Sequence, residues 1–425
     1  MGLISEIIFC LLTLFSFGMF VQKISRIRRS ILLGKPADLN DQPGQRWKNV
    51  FLLALGQKKM FQKPIVAILH LIVYVGFIII NIELLEIIVD GILGTHRVFS
   101  SSLGEYYQFL INGFEILAVL VTIACIVFLI RRNILKLKRF LSKDLDGWPR
   151  SDANYILIAE IILMGLFILM NAADPEVEFV ISKHISPLLN NQFDHSQLYL
   201  IEKSAWWIHI IGIFAFMNYL PYSKHLHIVL AFPNAYYAPL NPKGVIHNMP
   251  AIQNEVLYAM QPELAPENAV APESFGAKEA TELSWKNLMD AYSCSECGRC
   301  SEACPANNTG KLLSPRKIMM ATRDRIEEIS KNLEQNKVFV PDGKTLLHDY
   351  ITVEELRACT TCNACVQECP ISISPLDIII ELRRSLVMEQ SNAPQEWNSM
   401  FSNIENNFAP WKFSPDDRDA WTNQI

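Results

Sequence analysis

The sequence predicts an all-α protein in two parts: a bundle of five transmembrane helices, followed by a helical, cysteine-bearing domain on the cytoplasmic side. Three observations predict it. Five apolar runs are each long enough to cross a bilayer, which takes about 20 residues. Lys and Arg crowd the loops on one side of those runs. Eight of the ten cysteines lie in the polar second half, in two runs of identical spacing. The 425-residue chain is 50% hydrophobic and 19% charged, an average over two unlike halves. Its net charge of −5 gives no nucleic-acid signal.

The spans fall at about 3–22, 64–88, 107–130, 154–172 and 204–222, within a membrane domain of residues 1–232. A signal peptide carries its positive charges before the apolar run and a small-residue cleavage site after it. Here Lys23, Arg26, Arg28 and Arg29 come afterwards, so the first run reads as an uncleaved helix with its N-terminus outside. Loops 23–63 and 131–152 hold seventeen Lys and Arg; the opposite loops hold three, Arg97, Lys183 and Lys203. Five spans that start outside end inside, so a multi-pass protein of the inner (cytoplasmic) membrane is expected, with its second half in the cytoplasm. Cys10 and Cys125 sit inside apolar runs and read as small buried hydrophobes.

Tyr222 to Tyr237 is basic and aromatic, as at a membrane interface. Residues 233–283 read as a linker, because 261–280 are rich in Pro, Ala and Glu without an apolar period. Residues 284–390 read as helices. Ser314-Pro315 and Ser374-Pro375 are N-cap and first-turn pairs, and Thr352 with Glu355 is a capping box. Residues 391–425 are polar with scattered aromatics, Trp397, Phe401, Phe408 and Trp411, and read as a partner-facing tail.

The cysteine runs carry the chemistry. Cys294, Cys297, Cys300 and Cys304 precede Pro305; Cys359, Cys362, Cys365 and Cys369 precede Pro370. Each reads C-x-x-C-x-x-C-x-x-x-C-P, the run of bacterial two-cluster ferredoxins, in which the fourth cysteine ligates the other cluster. This assigns one [4Fe–4S] cluster to Cys294, Cys297, Cys300 and Cys369, and the second to Cys359, Cys362, Cys365 and Cys304. Zinc uses two C-x-x-C pairs and has no place for the third cysteine. A disulfide framework needs an oxidising compartment and gives no reason for one spacing to occur twice. The 54 residues between Cys304 and Cys359 look mostly helical, which favours an α-helical ferredoxin domain over a compact β-hairpin one.

Ionisable residues in a span are functional candidates. His70 and His209 lie within spans, and His225 and His227 follow the fifth. Imidazole is a common axial ligand of b-type haem, which a helix bundle can clamp. The competing reading is a histidine hydrogen-bonded to a neighbouring helix. Glu83, Glu86, Asp90 and His209 are candidate proton donors.

The stretch from His209 through Pro221-Tyr222-Ser223-Lys224 to His227 resembles the last helix of respiratory nitrate reductase gamma subunits. Five spans with an outside N-terminus also match. The resemblance implies a haem b held by His70 and His227 near the cytoplasmic side. A second, outer haem would use His209, but the family's second-helix partner is Ile80 here. His96 could replace it if its loop dips into the membrane. One haem is expected, and two are possible.

The combination, over nearly the whole chain, is similar to membrane-bound heterodisulfide-reductase-like iron–sulfur oxidoreductases. Some of these link electron transfer flavoprotein to menaquinone. Larger relatives continue into cysteine-rich CCG domains; this chain stops at Ile425 without them, so a separate subunit is expected to supply them if needed. The resemblance implies a quinone-linked oxidoreductase subunit passing electrons between a cytoplasmic partner and the quinone pool in the lipid. The alternative is a redox-active anchor of a dehydrogenase or disulfide reductase, without its own quinone site. The topology predicts that a C-terminal tag is protected from external protease in intact cells; cleavage from outside would overturn it.

Overall fold

The computed structural model describes residues 2–174, 179–266, 274–412, 414–417 and 419–424. These residues are overwhelmingly helical, and no strand occurs among them. Five helices are long and apolar enough to cross a membrane. They are α1 (Leu3–Ile31), α2 (Pro64–Leu93), α3 (Glu105–Leu129), α4 (Trp148–Ala173) and α5 (His195–Tyr219).

Each helix runs further than its apolar span, because hydropathy marks the bilayer crossing while the helix continues to its next stop signal. Pro64 opens α2 at a position whose N–H has no helical acceptor. Gly94 closes it at φ +69°, and a Cβ there would strike the Glu6 carboxylate. Asp194 and Gln197 form a capping box that starts α5 well before residue 204. α1 continues past Gln22 to Ile31 and leaves the apolar zone as a basic stalk.

The five helices form a closed ring. α1 packs on α2 and α5, α2 on α3, α3 on α4, and α4 on α5. The interior is filled by Phe9, Ile87, Ile111, Phe114, Phe167, Ile210 and Phe214, all buried. Gly91 admits Phe9, whose ring would clash with any Cβ at that position. Large apolar side chains such as Leu85, Ile123, Ile162 and Ile208 point outward, as a lipid solvent requires.

Beyond the ring come α6 (His227–Tyr236), α7 (Trp285–Ser293), α8 (Pro315–Asn336), α9 (Val353–Ala358), α10 (Pro375–Arg384) and α11 (Gln395–Asn407). Ser284, Ser314, Thr352 and Ser374 cap α7 to α10, each accepting from the backbone N–H three residues on. Such caps are worth about 1 kcal/mol each.

Sequence reasoning expects a linker that lets the cysteine domain fold back. The domain is in fact built onto the bundle. Ile27 and Ile31 of α1, with Leu226, are buried in one core with Leu283, Leu288, Ile318 and Ile378. The Lys35 N–H donates to Leu283 O at 2.8 Å, and the Trp285 N–H to Lys35 O at 3.0 Å. Arg316, 1% exposed, pairs with Asp144 of the α3–α4 connection at 2.8 Å. Of the expected linker, residues 267–273 lie outside the described residues; Pro250–Met260 forms a short helix. Trp397, Phe401, Phe408 and Trp411 of the expected tail are exposed.

Asp144→Ala leaves a buried guanidinium without its carboxylate, a change that costs about 3–5 kcal/mol. Amide hydrogen exchange over residues 284–390 should rise and the thermal midpoint fall. Unchanged exchange in that variant would mean that the pair does not seat the domain.

Candidate iron–sulfur centres and membrane histidines

The two cysteine loops fold alike. Cys294 ends α7, and Cys359 ends α9. Each is followed by two left-handed residues: Glu296 (φ 54°) and Gly298 (φ 74°) in the first loop, Thr361 (φ 54°) and Asn363 (φ 60°) in the second. Each loop then enters one helical turn, Arg299–Ala303 or Ala364–Glu368, and these turns pack together. Left-handed positions curl the chain so that successive N–H groups line a concave surface, the backbone form that suits anionic clusters. A Cβ at Gly298 would lie 2.6 Å from the Arg316 guanidinium, so the loop is fitted against the residue that anchors the domain.

The packing crosses the runs. Cys294 has Cys297 and Cys369 as electrostatic neighbours, and Cys300 has Cys294, Cys297 and Cys369, with Cys365 of the other run next. Cys359 has Cys304 and Cys362, and Cys365 has Cys359, Cys304 and Cys362. The fourth cysteine of each run thus lies near the first three of the other, and the two runs also touch through Cys300 and Cys365. Among the described residues no three His, Cys, Asp or Glu close on a point that would hold one ion.

Burial pushes the Cys294 and Cys365 thiols up to about 12 and Cys369 up to about 11. Cluster assembly must therefore displace their protons. The Thr361 N–H donates to Cys359 Sγ at 3.4 Å, and the Ile373 N–H to Cys369 Sγ at 3.3 Å. Hydrogen bonds to sulfur raise a cluster's reduction potential. Cys362 is exposed, whereas Cys304 and Cys365 are buried.

One cysteine set faces the bundle. Glu296, between Cys294 and Cys297, accepts from Lys224 Nζ at 2.7 Å and pairs with Arg323 at 2.9 Å. Burial works against its charge, but Lys224 and Arg323 outweigh it and hold the carboxyl below its usual range. Lys59 Nζ donates to Cys369 O at 3.1 Å and Ser372 Oγ at 2.9 Å. Lys224 and Lys59 both belong to the bundle's connecting segments, so this set lies against the bundle end.

Beside that contact three imidazoles meet. His225 and His227 stack at 5.5 Å, and His70 is within electrostatic range of both. Nδ1 of His70 lies 3.0 Å from Gln57 Oε1, and Nδ1 of His227 lies 2.9 Å from Lys224 O. Fixing Nδ1 in this way leaves Nε2 as the atom open to a ligand. Burial, then the neighbouring imidazoles, holds His225 down at about 3, and burial lowers His227. Neutral imidazoles are what an iron requires.

The other expected histidines do not meet. His209 is buried against Phe167, with ring centres 6.3 Å apart, and its Nδ1 has no partner. His96 lies 3.3 Å from Asp174, at the far end of α4. Phe167 and Asp174 are seven residues apart, about 10 Å along a helix axis. His96 is therefore taken up by Asp174 and is not brought to His209.

The fold and the cysteine runs define an iron–sulfur, ferredoxin-like helical region built on a bundle of five helices long and apolar enough to cross a membrane. The family model described as "4Fe-4S dicluster domain" matches residues 293–373. The chain is 24% identical to the "Probable iron-sulfur-binding oxidoreductase FadF" of Bacillus subtilis, over 99% of this chain and 61% of that protein. It is 27% identical to the "EtfAB:quinone oxidoreductase" of Syntrophomonas wolfei, over 91% of this chain and 55% of that one. A quarter of the chain is 34% identical to just over half of one component of a CoB-CoM heterodisulfide reductase from Methanosarcina acetivorans. These matches bear out the resemblance to heterodisulfide-reductase-like iron–sulfur oxidoreductases. The chain spans under two thirds of the first two relatives. No solved structure matches it.

Cys369→Ala should remove the same reduced-cluster EPR signal as Cys300→Ala, and Cys304→Ala the same one as Cys359→Ala. If Cys369→Ala and Cys359→Ala instead remove one common signal, the crossed sets are wrong.

Proposed function

We propose that the chain is a quinone-linked electron-transfer subunit of the cytoplasmic membrane. It carries electrons between a cytoplasmic redox partner and menaquinone. The observation that carries this reading is the Lys224–Glu296 contact, which ties the loop of Cys294 and Cys297 to the segment holding His225 and His227. The partner suggested by the Syntrophomonas relative's printed name is electron transfer flavoprotein; a separate CCG-domain subunit is the other candidate.

Cys294, Cys297, Cys300 and Cys369 would hold one [4Fe–4S] cluster, Cys359, Cys362, Cys365 and Cys304 the second, and His70 with His227 a haem b. Bound there, these groups supply one-electron transfer. The residues set the order of the path. Exposed Cys362 marks the face open to a soluble partner. The buried Lys224–Glu296–Arg323 triad fixes the inner cysteine set against the bundle. Gln57 and the Lys224 carbonyl orient the two imidazoles. The Lys-rich and Arg-rich loops beside this domain favour the cytoplasmic side.

His70→Ala should abolish low-spin b-haem absorbance in the purified chain and leave its iron–sulfur EPR signals intact. Retained haem absorbance would assign the axial ligand elsewhere. The anchor reading, without a quinone site, predicts cluster signals that do not respond to any added quinone.

A further inference from the structure

α2 carries three carboxylates on one face, Glu83, Glu86 and Asp90, at i, i+3 and i+7. They descend from the end of the bundle opposite the cysteine domain into its apolar interior. All three are buried, at 4%, 2% and 6% exposure. Carboxylates in such a place demand either a structural partner or a function.

Two of them have structural partners. Asp90 accepts from Thr95 Oγ1 at 2.6 Å and from the N–H groups of Arg97 and Val98 at 2.7 and 3.1 Å. Glu86 accepts from Tyr107 OH at 3.0 Å and the Phe99 N–H at 2.9 Å. Arg97 completes the network through Asp174 at 3.0 Å, Tyr107 at 3.2 Å and Asn171 at 3.1 Å. His96, half open to solvent, joins it through Asp174. These contacts tie α2, α3 and α4 together at the far end of the ring.

Glu83 is different. It is the deepest of the three, and its Oε2 has no hydrogen-bond partner. Glu86 reaches it by a carboxyl–carboxyl contact. The charged or titratable groups around it are Glu86 and Asp90 on α2, Arg97 in the following loop, and Tyr107 on α3. Glu115 of α3 is turned to Asn171 and the N–H groups of Ile181 and Ser182. Glu6 of α1 meets Gly94 at the helix end. Tyr74 of α2, Ser182, and His209 of α5 each also carry a buried polar atom without a partner. A fully satisfied network thus leads from the bundle end to one carboxyl with a free oxygen in the interior.

We propose that Glu83 is the proton-transfer group for a quinone that enters from the lipid beside α2, exchanging protons with the far-side water through Glu86. The proposal rests on the quinone-linked reading above. Quinone takes up two electrons and two protons to become quinol: quinone + 2 e− + 2 H+ → quinol. The reduced chain supplies the electrons one at a time. The Glu83 carboxyl gives one proton to a quinone oxygen, is reprotonated from the network, and gives the second. Quinol oxidation runs the same transfers backwards.

The test uses the full chain in lipid nanodiscs, chemically reduced without excess and mixed anaerobically with a short-chain menaquinone. Wild type should reoxidise quickly, and more slowly as pH rises. Glu83→Gln should reoxidise about a hundredfold more slowly, the scale of a lost general acid. It should also lose the pH dependence and a carboxyl band in the redox-difference infrared spectrum. Its iron content, haem content and oxidation by ferricyanide should match wild type. Glu83→Asp should keep the band and recover part of the rate, which guards against a fold defect in the first variant. If Glu83→Gln reoxidises as fast as wild type, or Glu83→Asp as slowly as Glu83→Gln, the inference falls while the quinone-linked reading stands. Wild type that answers to ferricyanide but not to menaquinone removes that reading and the inference with it.

Discussion

The structure depends on a buried ion triad at the join between its two halves. Glu296 sits between Lys224 and Arg323 with its side chain 4% exposed. Isolated, a carboxylate so placed would be expelled or neutralised. Held from both sides, it binds a cysteine loop, a membrane-helix extension and α8 into one unit. The shared core reinforces this, because the α1 stalk contributes Ile27 and Ile31 to the cysteine domain's interior. Electron transfer falls steeply with separation, so a domain swinging on a tether would relay poorly into the bundle. A fused one fixes the gap.

The two ends of the bundle have unlike chemistry. The end beside the cysteine domain gathers three imidazoles, two of which, His70 and His227, have Nδ1 held by a hydrogen bond, while burial suppresses the charge of His225 and His227. The far end gathers carboxylates, a guanidinium and a phenol in a saturated hydrogen-bond network. Between them the ring is filled by aromatic and aliphatic side chains. On the proposed reading, the imidazole end would serve electron transfer and the carboxylate end proton exchange with a quinone.

The sequence made the five helices legible because a bilayer dictates composition over about 20 residues. It made the iron–sulfur region legible because the spacing of cluster-ligating cysteines is local. It did not show how the halves join. That rests on pairs such as Arg316 with Asp144, ordinary residues far apart in sequence whose pairing no local pattern encodes. Gln57 escaped notice for the same reason, although its left-handed backbone turns its amide toward His70. Tyr107 and Arg97 were indistinguishable from interfacial residues until their contacts with Glu86 and Asp174 appeared. His96 was read as a possible metal ligand, because a lone histidine near a span end carries no sign of the carboxylate that claims it.

The central claim is that the cysteine clusters discharge into the membrane bundle through the joined ends. The most direct measurement follows both cluster EPR signals by freeze-quench after the reduced chain, in lipid, meets menaquinone. The account predicts loss of both signals, the one assigned to Cys294, Cys297, Cys300 and Cys369 leading. Clusters that stay reduced until a water-soluble oxidant is added, or a signal order that is reversed, would contradict it.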